Sequence, residues 1–356
     1  MQIEKIEIQS YRLKFEQKFT NAKSSWSDRP GYVIKMTSSS GLVGLGEAAP
    51  LPNWSPETLT QTAIALEQIS RHLQARPITL EDLATVLLPH QAIPSACHGI
   101  ELAYLDLLTQ SQQLPLCQWL NPTAKMSVPV NGLLTSSPNP IAKAQTLVAQ
   151  GYNTLKLKIG RNWQQDLALI QALRQRLGHQ IRLRLDLNQA WHLEQAIARI
   201  AILTPWQIEY LEQPLTAQDL PGMAKLRQLQ QIPIAADESA QTLEQLHTLL
   251  QLQAADIVIL KPMILGGILA TYKAAQLAIH AGITPIITTT LDSAIARAAA
   301  IHLAAALPER GHADGLATGQ FFAADLFLAK DLWSERSPIT LANQPGLGLD
   351  WRNLRL

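Results

Sequence analysis

Charge is sparse in this sequence and almost balanced. Lys and Arg number 29 and Asp and Glu 28, together 16% of 356 residues, where about a quarter is usual. A net charge of +1 supplies no basic surface of the kind a nucleic-acid backbone requires, and no polybasic patch for an anionic membrane. Cysteine is nearly absent. Cys97 and Cys117 lack CxxC spacing, and the single His98 beside Cys97 makes no ligand pattern, so reduced core thiols are expected. Long apolar runs are missing too. The most apolar stretch, Ala294 to Leu307, is interrupted by Arg297 and His302 and is too short to span a bilayer. The first seven residues carry charge where a secretory signal needs an apolar run. These absences lead to the expectation of a soluble, cytoplasmic protein with no nucleic-acid or membrane partner. What the sequence does have is core-forming material, 47% hydrophobic residues, enough for a barrel-sized domain and a smaller companion.

Two textures divide the chain. Residues 1–125 read as α+β. Residues 1–13 and 31–47 alternate in the manner of strands, with Ser38-Ser39-Ser40-Gly41 as a turn. Ser55-Pro56-Glu57 then offers an N-cap, an N1 proline and an early acid for a helix carrying Leu59, Ala63, Leu66 and Ile69. A second helix is expected from about Ser95 to Leu108. Residues 126–321 alternate short apolar runs with amphipathic helices. The runs are Val128–Val130, Thr154–Ile159, Ile181–Leu187, Ile208–Leu211, Ile234–Ala236, Ile257–Leu260 and Pro285–Thr288. Gly151, Gly178 and Gly282 sit where a left-handed residue stops a helix. This α/β pattern predicts a parallel sheet closed into a (β/α) barrel. A doubly wound sheet is the alternative, but no glycine-rich phosphate fingerprint follows the first strand.

One ionisable residue recurs at the end of five consecutive strands: Lys158, Asp186, Glu212, Asp237 and Lys261, in steps of 28, 26, 25 and 24 residues. Adjacent barrel strands lie ~4.8 Å apart, so such side chains converge on the mouth where barrel active sites are built. Three neighbouring carboxylates require a compensating cation, and oxygen-only ligation suits Mg²⁺. Arg184, Asp186 and Asn188 share one strand face, and Leu183, Leu185 and Leu187 the other. Taken singly, each residue has a plainer explanation. Asp237 could be a helix N-cap, a lone Lys a solvated rim residue, and Glu212 before Gln-Pro a turn. Their common phase argues for a site. His98, His192, His280, His302 and His312 lack ligand spacing and read as core or surface histidines. Ser293 has no G-x-S-x-G context, so a serine hydrolase is not indicated.

At these positions the sequence resembles the enolase superfamily, in its muconate-lactonizing-like subgroup. The strings that carry the resemblance are Leu155-Lys156-Leu157-Lys158, Arg184-Leu185-Asp186-Leu187-Asn188, Glu209-Tyr210-Leu211-Glu212-Gln213-Pro214, Ala236-Asp237-Glu238-Ser239 and Leu260-Lys261-Pro262. Gly44-Leu45-Gly46-Glu47-Ala48-Ala49-Pro50 is similar to the family's capping domain. The resemblance implies the modified TIM form, (β/α)7β, with an α+β capping domain of residues 1–125 joined by the C-terminal segment 322–356. It implies that Asp186, Glu212 and Asp237 bind Mg²⁺, with Mn²⁺ a possible substitute. Lys158 and Lys261 would be the acid/base pair, and Lys156, Asn188 and Ser293 would support the site or touch the substrate, a small-molecule carboxylate. Proton abstraction α to a carboxylate, with the metal stabilising the enediolate, is this superfamily's general chemistry.

Within the subgroup, Val128–Leu134, Leu291–Arg297, Ala304–Pro308 and Gly315–Gly319 with Asp325-Leu326 are most similar to the o-succinylbenzoate synthases. Those enzymes dehydrate a succinyl-hydroxycyclohexadiene carboxylate for menaquinone or phylloquinone biosynthesis. Racemases of N-succinylamino acids and dipeptide epimerases use the same lysine pair. The Asp-x-Asp that holds a dipeptide's ammonium is not present; the nearest string is Asp314-Gly315-Leu316. No role is carried over to Asp292, where many relatives have Glu. A non-catalytic barrel is the remaining alternative. Residues 19–29 are polar and read as a loop, either a mobile lid with Trp26 as an apolar wall or an ordinary surface loop.

Overall fold

The computed structural model describes residues 1–20, 25–74, 76–134, 139–328, 331–334 and 336–356. The chain opens with a long antiparallel hairpin, β1 (Ile3–Thr20) and β2 (Ser25–Ser38), and a third strand, β3 (Val43–Ala48). The turn between β2 and β3 forms at the expected serines, with Gly41 at φ +82°. Helix Pro94–Ser111 packs across this sheet and is buried over most of its length. The contact is close because Gly44, Gly46 and Gly99 lack side chains. A Cβ at Gly46 would overlap the carbonyl of Gly99. Gly46→Ala is therefore expected to destabilise the protein by about 3 kcal/mol, the cost of overpacking a rigid contact. Denaturant unfolding followed by circular dichroism measures it.

The first helix begins later than expected, at Leu59. Thr58 caps it, and its hydroxyl and backbone form a reciprocal capping box with Gln61. Glu57 has a different use: it accepts from the backbone N–H of Ser95, 2.9 Å away. Residues 19–29 also differ from expectation. Among those described, residues 19–20 and 25–29 are strand rather than loop, and Asn21–Ser24 lie outside the described residues. Phe19 pairs across the hairpin with Trp26, and Phe15 stacks on Phe322. These aromatics hold the hairpin extended despite its polar composition.

The parallel strands follow in chain order. They are preceded by β4 (Ser127–Val128) and are β5 (Gly132–Leu134), β6 (Thr154–Lys158), β7 (Arg182–Asp186), β8 (Ile208–Glu212), β9 (Ile234–Ala236), β10 (Ile257–Leu260) and β11 (Thr284–Ile287). They pair in sequence from β5 to β11, all parallel, each followed by a helix. The eighth position is only a pair of residues. Asp314 bridges to Val130 on one side and Gly315 to Thr288 on the other, both parallel, which closes the ring. Gly151, Gly178 and Gly282 take positive φ as expected. The first barrel strand is a correction. Val128 belongs to an antiparallel pair with β12 (Ile339–Thr340), and the barrel begins at Gly132. Pro129 cannot donate to a ladder.

The C-terminal segment returns to the N-terminal residues. Leu116 N–H donates to Gly346, and Leu347 N–H to Asp106. Both cysteines are free and buried. Burial pushes the Cys97 thiol up to about 12 and the Cys117 thiol up to about 11. Among the described residues no helix is long and apolar enough to cross a membrane.

Candidate active site

Strand register brings the expected side chains to one level. Lys158 pairs with Asp186 across β6 and β7, and Asp186 with Glu212 across β7 and β8. All five recurring residues, with Lys156 and Asn188, line a single pocket at the C-terminal ends of the strands. Sheet order places β6 and β10 on either side of the three carboxylate-bearing strands. Lys158 and Lys261 thus flank the carboxylates.

The ammonium groups lie directly on the acids. Lys156 Nζ is 2.6 Å from Glu212 Oε1 and 3.2 Å from Asp186 Oδ2. Lys158 Nζ is 3.1 Å from the same Asp186 oxygen and 2.9 Å from Asn188 Oδ1. Lys261 Nζ contacts Asp237 Oδ1 and stands 5.0 Å from the centre of the Trp54 ring. Burial opposes ionisation of Asp186, but the two ammoniums outweigh it and hold its carboxyl well below the usual range. Burial pushes Glu212 up to about 7; Lys156 opposes this, while the charges of Asp186 and Asp237 add to it. Burial also disfavours the charge on Lys156, yet Asp186 and Glu212 keep its pKa well above the ordinary lysine value.

Among the described residues, no three His, Cys, Asp or Glu side chains form a group arranged to hold a metal ion. The lysines are drawn between the acids instead. The donor set still fits a hard divalent cation. Three carboxylates face one pocket, and Glu212 Oε2 is buried with no hydrogen-bond partner.

Other expectations fall elsewhere. Ser293 is not in the pocket. It is fully buried, its hydroxyl donating to Glu47 Oε2 at 2.5 Å while its side chain caps helix Ala294–Ala306. Of the two roles expected for Ser293, these contacts are those of a supporting residue rather than of one touching substrate. Asp314 also turns away from the mouth, accepting from Arg310 at 2.6 Å and from Ile287 N–H at 2.8 Å. The pocket wall at the eighth position is Gly315, Ala317 and Thr318. Of the histidines, His98 is buried and bonds to the Glu47 carbonyl. His302 is buried as well, its pKa lowered to about 4 by burial. His192 precedes helix Leu193–Leu203 as its N-cap.

Sequence reasoning missed several residues. Gln213, fully buried at φ +40°, accepts from the backbone N–H of Asp237 at 2.9 Å and of Ser239 at 3.1 Å. It thereby fixes the turn that carries Asp237. Phe19, Leu51 and Trp54 from the N-terminal region line the pocket beside Trp26. Beneath the site, Arg184 is buried against Glu209 at 2.5 Å and Asn131 at 3.1 Å, closing the barrel floor.

Comparison with known proteins agrees with this geometry. Residues 140–354 match the enolase C-terminal domain-like family, and residues 3–107 match the MenC N-terminal domain. A hydrophobic dipeptide epimerase of Enterococcus faecalis is 31% identical over 358 residues, 98% of this chain and 99% of that one. An o-succinylbenzoate synthase of Thermobifida fusca is 36% identical over 203 residues, 56% of this chain and 62% of the other. The substrate-liganded L-Ala-D/L-Glu epimerase of Bacillus subtilis superposes with a TM-score of 0.90 at 28% identity, covering all of both chains. Its two matched families and its barrel-and-cap architecture make this chain a member of the enolase superfamily, a family of enzymes.

Proposed function

We propose that the chain is an o-succinylbenzoate synthase, removing water from a succinyl-hydroxycyclohexadiene carboxylate. The observation that carries this reading is the pocket wall at the eighth barrel position. Gly315, Ala317 and Thr318 form it, with no carboxylate to receive a substrate ammonium. A buried ammonium without a partner is costly, which disfavours a dipeptide, whereas a ring carrying carboxylate and succinyl groups but no ammonium avoids that cost. Leu51, Trp54, Leu133 and Leu291 offer that ring apolar contact.

Asp186, Glu212 and Asp237 would hold Mg²⁺ or Mn²⁺. When bound, such an ion supplies positive charge to the substrate carboxylate as proton loss turns it into a dianion. Lys158 Nζ, as the neutral amine in the reactive state, takes the α-proton, and the electron pair of the broken C–H bond moves into the enediolate. Lys261 stays protonated on the opposite flank and stabilises that anion. Lys158 then gives the proton to the departing hydroxyl as the C–O bond breaks, releasing water on the face where the proton was taken. Aromatisation of the ring drives the step. Asn188 orients Lys158 through its 2.9 Å contact, and Lys156 keeps a positive charge beside it.

The second reading is a racemase of N-succinylamino acids or an epimerase, with each lysine acting as base for one stereoisomer. The full-length similarity to a dipeptide epimerase favours it. The two reactions separate in one experiment with the Mg²⁺-loaded protein. Dehydration is read from formation of the aromatic product, and racemisation from deuterium uptake into an N-succinylamino acid or a dipeptide in D₂O. The synthase reading expects rapid aromatisation and no uptake into the dipeptide. Exchange with no aromatisation would overturn it.

A further inference from the structure

Two fully buried charges of the N-terminal sheet, Arg29 on β2 and Glu47 on β3, are used neither by the proposed chemistry nor by the hydrophobic core. Both reach across to residues 288–293, the segment between β11 and helix Ala294–Ala306. Arg29 Nε donates to the carbonyls of Thr290 at 3.2 Å and Leu291 at 3.0 Å. Its Nη2 lies 3.4 Å from Asp292 Oδ1 and 3.4 Å from Thr290 Oγ1, and also donates to the Ala49 carbonyl. Its Nη1 donates to the Pro50 carbonyl at 2.9 Å. One guanidinium thus joins the segment after β3 to the segment after β11.

Glu47 completes the seam. Its Oε1 accepts from Tyr11 at 2.5 Å and from Ser293 N–H at 2.9 Å. Its Oε2 accepts from the Ser293 hydroxyl and, at 2.9 Å, from Ala296 N–H. A carboxylate from β3 therefore caps the helix that follows the segment, where the macrodipole favours negative charge. Between these two clamps Leu291 is held at φ +61°, a left-handed conformation that a leucine adopts only when its surroundings impose it. Thr288, Thr289, Thr290 and Leu291 form one wall of the pocket.

We propose that Arg29, through Asp292 and the Thr290 and Leu291 carbonyls, is a positioning residue that sets the 288–291 wall of the substrate pocket from the N-terminal sheet. Arginine is required because its planar fork serves several acceptors at fixed angles, whereas a lysine ammonium is a compact point donor. The wall and the sheet then move as one unit. The inference rests on the pocket being the active site and is indifferent to which of the two reactions occurs there.

The test compares Arg29→Lys, Asp292→Asn and a control, Glu101→Gln. Glu101 is also a buried carboxylate joining the N-terminal helix to the barrel, at Leu269 N–H, but it does not line the pocket. Amide hydrogen exchange is read on the folded, full-length proteins, together with steady-state kinetics. Arg29→Lys and Asp292→Asn are expected to speed exchange at residues 288–293 by about tenfold, with β6 to β8 unchanged. They should raise KM by about tenfold while kcat stays within about threefold, as loss of substrate positioning rather than of chemistry requires. Glu101→Gln should leave KM at the wild-type value. Exchange at 288–293 that is unchanged, or that rises only in step with the whole barrel, would overturn the proposal. If Arg29→Lys does not fold, Asp292→Asn decides by the same two readings. Wild-type protein inactive on every substrate would contradict the functional reading instead, and exchange would still decide the seam.

Discussion

Lys158→Ala is expected to lower kcat by about 10²- to 10⁴-fold, the range of a lost general base, while KM changes little. Lys158 ends β6 with its ammonium on Asp186 Oδ2 and Asn188 Oδ1. It is more open to the pocket than Lys156, with 26% of its side chain exposed against 18%. Lys156 is bound between two carboxylates that fix its charge, so it is poorly suited to accept a proton. Lys158 has one carboxylate neighbour and a neutral amide. Removing its amine deletes the proton acceptor but leaves the substrate's other contacts. Steady-state kinetics with product formation followed by absorbance measures the effect. A variant with wild-type kcat would remove Lys158 from the mechanism.

Glu212→Gln is expected to abolish turnover for a different reason and to weaken Mg²⁺ binding by about a hundredfold or more. Loss of a group merely supporting a metal ligand already costs about 10- to 100-fold in affinity, and Glu212 would be a ligand itself. The substitution also removes one negative charge beside Lys156, which would then rely on Asp186 alone. Glutamine is nearly isosteric, so the buried site should keep its shape. Calorimetric titration of Mg²⁺ into wild-type and variant protein checks this. Equal affinities would exclude Glu212 as a ligand.

Much of the barrel was legible because each of its strands is a short local event. Ile234–Ala236 and Ile257–Leu260 form over the residues expected, since both are apolar runs bounded by turns. The site was legible for the same reason, one ionisable residue recurring at each strand end. What was not legible shares another cause, namely partners distant in sequence. Val128 is β-branched and beside Val130, but its ladder partner is Ile339, and no local pattern announces that pairing. Ser293 follows a strand end as a site residue would, yet its partner is Glu47, 246 residues away. The polar stretch after Phe19 conceals a hairpin because its stabilising contacts, Phe15 on Phe322 and Phe19 beside Phe321, come from the far end of the chain. Spacing alone does not reveal that Lys156 lies between Asp186 and Glu212.

Whether one divalent cation binds where these acids meet is answered most directly by diffraction from crystals grown with Mn²⁺, using its anomalous signal. The account predicts a single strong peak in the barrel mouth with Asp186, Glu212 and Asp237 all bonded to it and the Lys156 ammonium displaced from between the acids. A peak elsewhere, or a peak that leaves one of the three carboxylates out, would contradict it.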